Sequence, residues 1–174
     1  SQKSFTVSGS APKANVTLMR LVSRIRFSID KSALDGLSVT AVQLKQGALR
    51  ATPFISASKA ASTSEVGNGD YATYSDITSL NSGNTVTFYA LENCQGVLLP
   101  NNKEASSKVP EEIADKSALC TYLEMTASFS GKYEGVDVSS DNVKYRFYLG
   151  EDNCTDFNVI RNKDVKINLK VTED

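Results

Sequence analysis

The 174-residue sequence predicts an antiparallel, all-β domain. Three observations lead there. Apolar and polar side chains alternate with period two in run after run, which is the pattern of strands with one dry and one wet face. Serine and threonine number 22 and 13, a hydroxyl-rich composition that suits sheets and exported proteins better than cytosolic enzymes. Polar segments rich in Gly, Asn, Ser and Asp separate the alternating runs and carry turn chemistry.

The elements follow in chain order. Phe5 to Val7 reads as a short first strand. Residues 15–30 put Met19, Leu21, Ile25, Phe27 and Ile29 on one face of a strand, with Arg20, Arg24 and Arg26 opposite. Leu18, Val22, Ile25 and Ile29 also fit helical spacing, but the clean alternation after Arg24 and the β-branched content favour a strand. The stretch from Val16 to Leu21 is left open to a turn of helix. Val39 to Lys45 is the next strand, and Val86, Phe88 and Ala90 mark another. Leu119, Thr121, Leu123, Met125, Ala127 and Phe129 share one face of a long run whose other face holds Cys120, Tyr122, Glu124, Thr126 and Ser128. Val143, Tyr145, Phe147 and Leu149 alternate with Lys144, Arg146 and Tyr148. Val165, Ile167, Leu169 and Val171 close the series.

Long polar connections are expected at 56–83, 95–117 and 131–142. The first carries turn signals at 67–70 and 81–84, the second at Pro100-Asn101-Asn102 and Pro110. Connections of more than about 12–15 residues are uncommon unless they serve function, so 56–83 and 95–117 are where specificity is expected. No internal repeat and no second composition regime interrupts the chain. One domain over residues 1–174 is expected, whether the chain is whole or a segment of a longer protein.

The chain has no histidine and no tryptophan. Ser-His-Asp and Cys-His nucleophiles, imidazole bases and histidine metal ligands are therefore excluded. Serine, lysine and carboxylates are plentiful, but no S-x-x-K frame organises them, so no enzyme is expected and no catalytic residue is assigned. The net charge is −1 and the sequence pI about 5.6, which argues against a nucleic-acid partner. No apolar run is long enough for a transmembrane segment. The acidic run Glu151 to Asp156 lacks the ligand alternation and central glycine of a calcium loop, so it reads as a solvated turn, with no metal and no cofactor expected.

Four strings resemble the fimbrillin-like proteins of Bacteroides-type bacteria. Leu18-Met19-Arg20-Leu21-Val22-Ser23-Arg24-Ile25 is similar to their L-x-R-x-x-(A/S)-(K/R)-(I/V) strand. Glu92-Asn93-Cys94-Gln95-Gly96 is similar to their E-N-x-Q-G element, and Thr121-Tyr122-Leu123-Glu124 to the T-Y-(I/L)-E strand after it. Tyr145 to Gly150, followed by Asp156-Phe157-Asn158-Val159-Ile160-Arg161-Asn162, resembles the Y-x-x-Y-L-G … D-F-N-V-x-R-N signature. The order matches over roughly residues 18–171.

That resemblance implies a transthyretin-like β-sandwich of seven strands; with the alternating runs, seven to eight strands are expected. It further implies a cell-surface or outer-membrane location, extracellular exposure and a role as pilus subunit, anchor or adhesin component. Its partner would be a neighbouring pilus or surface-protein subunit, engaged by β-strand addition, with a host protein or glycan as a further partner. In the polymerising relatives a protease cuts after an arginine in an early loop; Arg50 sits in a plausible loop here without aligning to such a site.

Physical readings accompany the motif positions. Arg161 is expected to lie across a sheet end and bond carbonyls or a carboxylate, with Arg161 to Asp164 as a hairpin turn. Glu92, Asn93, Gln95 and Gly96 suit a strand turning into a loop. The row Arg20, Arg24, Arg26 reads as a wet strand face. Cys94 and Cys120 are paired as a possible disulfide if their strands are neighbours, leaving Cys154 odd. For strand addition, the edges of the accepting groove are placed at Phe5 to Val7, Val16 to Ile29 and Val165 to Val171. For the alternative, a glycan-binding module, Tyr71, Tyr74 and Tyr89 are the aromatic candidates.

Overall fold

The computed structural model describes residues 18–53, 59–67, 70–109 and 116–171. The strand proposed at Phe5 to Val7 and the start of the 15–30 segment lie outside them, as do parts of the long connections.

The alternation around Ile25 builds β1 (Val22–Asp30), whose Ile25, Phe27 and Ile29 are buried while Arg24 and Arg26 face out. β2 (Leu37–Lys45) follows, then β3 (Asp70–Tyr74) and a short helix, α1 (Ile77–Asn81). β4 (Val86–Leu91) and β5 (Asn93–Val97) are separated only by Glu92. β6 (Tyr122–Tyr133) and β7 (Val136–Tyr148) form the longest hairpin among the described residues, and β8 (Asp156–Val159) and β9 (Asp164–Lys170) follow.

Nine strands are thus present among the described residues, against the seven to eight expected. They form a three-stranded sheet β4-β1-β9, a four-stranded sheet β3-β2-β6-β7 and a two-stranded sheet β5-β8. The two larger sheets contribute Ile25, Phe27, Phe88, Val42, Leu44, Leu123 and Met125 to one apolar cluster, which makes an all-β sandwich. Phe27 and Phe147 touch across the layers with ring centroids 5.7 Å apart.

Several expectations need correction. The architecture is not wholly antiparallel, because β9 runs parallel to β1, with Ile25 opposite Val165 and Phe27 opposite Ile167. β1 is not an edge of a groove: it is the central strand of its sheet, between β4 and β9. Residues 131–142 are not a loop but the tip of the β6–β7 hairpin. The turn is Glu134-Gly135, both with positive φ (49° and 80°), the two-residue geometry that matches strand twist. The polar stretch 56–83 contains β3 and α1. Arg161 to Asp164 joins two different sheets rather than closing a hairpin, since β8 pairs with β5 and β9 with β1.

The disulfide is also corrected. Cys94 lies on β5 opposite Asn158, whereas Cys120 precedes β6, whose neighbours are β2 and β7, so the two strands are not adjacent. None of the three cysteines forms a disulfide: Cys94 Sγ donates to Val159 O at 3.6 Å and Cys120 Sγ to Lys116 O at 3.4 Å. Burial, with nearby Glu92 and Asp156, pushes the Cys94 thiol up to about 11, which keeps it protonated.

Two irregularities position the edges. β2 shifts register between Val39 and Ala41, and the Asn81 amide takes both backbone groups of Val39, accepting from N at 3.0 Å and donating to O at 2.9 Å. β7 carries one extra residue between Ser140 and Val143. That bulge keeps Val136, Val138 and Ser140 on the same side of the hairpin as Val143, Tyr145 and Phe147.

Candidate functional site

Two regions gather the side chains singled out in the sequence. The first is the bend at Glu92. Arg161, just past β8, forks onto this carboxylate, Nε donating to Oε2 at 2.8 Å and Nη2 to Oε1 at 2.9 Å. Both side chains are only 2% exposed. Such burial is costly unless the remaining donors and acceptors are used, and here they are. Arg161 Nη1 donates to Thr52 O at 3.0 Å, and Glu92 Oε1 also accepts from Lys59 N at 3.1 Å. The hydrogen-bonded carboxylate drives the Arg161 pKa further up despite its burial.

Asn93 extends the network. Its Oδ1 accepts from Ala61 N at 3.1 Å and from Gln95 Nε2 at 2.7 Å; its Nδ2 donates to Leu119 O at 2.7 Å and Thr121 Oγ1 at 3.0 Å. Gln95 also donates to Ala61 O, and Thr121 to Gln46 O, both at 2.9 Å. Gly96 takes φ +88°, and its N donates to Asn158 Oδ1 at 2.7 Å. Asn162 turns the chain with φ +61° and donates from its N to Val22 O at 2.9 Å. These residues fasten segments 46–52 and 59–61 to the sheets. No buried side-chain nitrogen or oxygen among the described residues lacks a partner, so the network offers no spare polar group to a ligand. The E-N-x-Q-G and R-N strings are a structural joint.

Other motif positions pack beside it. Tyr122 and Tyr148 rings lie 5.0 Å apart, Tyr148 meets Phe157 edge-on at 5.9 Å, and Lys108 Nζ sits 5.0 Å over the Phe157 ring. Lys108 is 7% exposed and donates to Asp152 O at 2.8 Å; burial pulls its pKa down. Gly150 is required sterically, since a Cβ there would lie 1.9 Å from Asp156 O. The acidic run is spent on its own turn: Asp152 Oδ1 accepts from the N–H groups of Cys154, Thr155 and Asp156, and with Thr155 Oγ1 this holds its carboxyl far below the usual range.

The arginine row divides. Arg24 and Arg26 both fork onto Asp164, at 2.7 and 2.6 Å for their closest contacts, and hold its pKa down to about 2. Arg20 is exposed outside any strand. Asp164 was legible only as a turn residue, because the parallel register that sets it opposite Arg24 is a long-range pairing. Lys108 carried no sequence signal, and Asn81 was legible only as part of the turn signal at 81–84, not as the partner of Val39. The tyrosines proposed for a glycan are not brought together: Tyr71 packs on Gly47, Tyr74 meets Phe88 in the core at 6.1 Å, and Tyr89 faces outward on β4, 58% exposed.

The second region is an open cleft between the sheets, on the side where β7 and β9 are the outer strands. It measures about 400 Å³ and is walled by Arg146, Phe147 and Tyr148 of β7 and by 166–169 of β9, with Lys108 alongside. Val165, Ile167 and Leu169 are half-buried beneath it, packed on the core. β9 has one hydrogen-bonded neighbour among the described residues. Arg24 N bonds Lys163 O and Val171 N bonds Asp30 O, so odd-numbered residues of β9 face β1. By alternation, Lys166, Asn168 and Lys170 turn their backbone N–H and C=O groups to the open side. An extended chain laid there would find a row of backbone donors and acceptors above an apolar floor.

Comparison with known families adds one finding. Residues 88–169 match the family model of DUF4906, a domain of unknown function, a span that takes in the Glu92 joint and both walls of the cleft. No curated protein and no solved structure matches the chain. Among the described residues no helix is long and apolar enough to cross a membrane.

Proposed function

We propose that the protein is a non-enzymatic cell-surface module of fimbrillin-like character, a pilus subunit, anchor or adhesin component that works by β-strand addition. The observation that carries this reading is the outward edge of β9 above half-buried Val165, Ile167 and Leu169. A strand from a neighbouring subunit would bond the backbone of Lys166, Asn168 and Lys170 and set alternate apolar side chains against Ile167 and Phe147. The four family-like strings support the surface location, and the hydroxyl-rich, histidine-free composition agrees with it.

The test is immunogold labelling of intact source cells with antibody to this chain, alongside a strain carrying Asn168→Pro. Proline at that position removes an outward N–H without touching the β1 ladder. Surface label that is lost from assemblies in the proline strain is expected. Label confined to the cell interior, or undiminished assembly by the proline variant, overturns the reading.

A further inference from the structure

The cleft has a consistent sign. No carboxylate lines its walls, whose cations are Lys166, the largely buried Lys108 and Arg146, the last already paired with Glu124 at 3.0 Å. The adjoining stretch along β7 adds Lys144, again without a carboxylate. On the outer face of β1 and β9 the charges are Arg24, Arg26, Lys166 and Lys170 against Asp30 and Asp164. Asp164 is already shared by two arginines; the register sets Asp30 opposite Lys170, but the residue directly opposite Lys166 is Arg26, which repels it. Among the described residues neither Lys144 nor Lys166 has a carboxylate within ion-pairing distance. A like-charged edge of this kind discourages most strands and favours one that brings the missing sign.

From this we infer that the occupant of the β9 edge is an extended segment of another chain, apolar at alternate positions and acidic at the positions between. The inference rests on the strand-addition reading and adds the partner's chemistry. The geometry sets the pattern. In an added strand, side chains facing the core align with Val165, Ile167 and Leu169, while those facing out align with Lys166, Asn168 and Lys170. Glutamate or aspartate at the two outward positions that flank the one opposite Asn168 then stands beside Lys166 and Lys170, and the lysines of the cleft steer such a segment before contact. The chain's own first 17 residues contain Lys3 and Lys13 and no acidic residue, so in charge they are the opposite of the segment inferred.

Three short peptides test it, with valine at alternate positions and glutamate, lysine or threonine between, titrated against the full chain and against Lys166→Glu. Binding is read by the exchange rates of the Lys166, Asn168 and Lys170 amides. The glutamate peptide is expected to protect these amides and to bind about tenfold more tightly than the lysine peptide at low salt. The preference is expected to shrink in 1 M salt and to reverse in Lys166→Glu. Equal binding of all three peptides overturns the charge inference and leaves strand addition standing. No protection by any peptide overturns both.

Discussion

The bend at Glu92 and the cleft beside β9 lie in the same half of the chain and differ in every physical respect. At the bend a guanidinium and a carboxylate are buried together, and each remaining polar atom is used. At the cleft a strand edge, half-buried aliphatic side chains and the exposed Lys166 stand open on one side. The contrast shows that the most recognisable strings, E-N-x-Q-G and R-N, hold the fold. Of the surface suited to a partner, the β7 wall lies within the Tyr145 to Gly150 string, whereas the β9 edge has no string of its own. Motif density here follows geometric constraint: a buried fork tolerates one pair of residue types, whereas an edge needs only alternation.

The sharpest way to break the comparison is at the joint. Arg161→Ala strands the Glu92 carboxylate in the interior, and a loss of about 3–5 kcal/mol is expected in urea unfolding. Replacing both partners with methionine should cost much less, because no charge is left unpaired. A single substitution that costs under about 1 kcal/mol would mean that the pair is not the fastening point. Asn93→Ala comes next. It leaves the buried Ala61 N–H without its acceptor, and about 1–3 kcal/mol is expected by the same measurement.

At the cleft the order of effects should invert, with function more sensitive than stability. Ile25 is fully buried, whereas Ile167 is half-buried at the cleft wall. Ile25→Ala should cost about 2–5 kcal/mol and Ile167→Ala clearly less, since solvent already reaches the second site. Ile167→Ala should nevertheless weaken peptide binding to the β9 edge. Equal destabilisation by the two substitutions would place Ile167 in the closed core and remove the cleft's floor.

These differences explain what the sequence could disclose. Ile25, Phe27 and Ile29 alternate cleanly because one sheet face is dry, so β1 was legible, as were β4, β6 and β9. Its place in the sheet was not, because the parallel partner lies about 140 residues away and alternation says nothing about neighbours. The hairpin turn was hidden by Glu134, a residue that rarely takes positive φ and masks an otherwise ordinary turn before Gly135. Arg161 was readable as a side chain reaching for a carboxylate or carbonyl, but its partner Glu92 was set only by the meeting of β5 and β8. The Cys94–Cys120 pairing depended on their strands being neighbours, a condition that sequence order does not settle and the sheet order does not meet. The cleft was least legible of all, because an open edge is a property of which strands lie outermost.

The smallest effect expected tests the outer face beside the cleft. Asp164, forked by Arg24 and Arg26, is held at about 2 in the fold, against about 3.9 in an unfolded chain. The sign follows directly: its contribution is complete above the unfolded value and disappears as pH falls through the folded one. Below pH 2 the carboxylate is neutral, and Arg24 and Arg26 face each other with nothing between them. Stability measured by thermal unfolding should therefore fall between about pH 4 and 2, and Asp164→Asn should flatten part of that slope. Glu65, pulled down to about 2 by Lys59 and Ser62, titrates in the same window, so a remaining slope is expected in the variant. The pair is exposed and screened by solvent, which makes the difference small and salt-sensitive. Identical slopes for the two proteins at low ionic strength would show that the arginines gain nothing from Asp164.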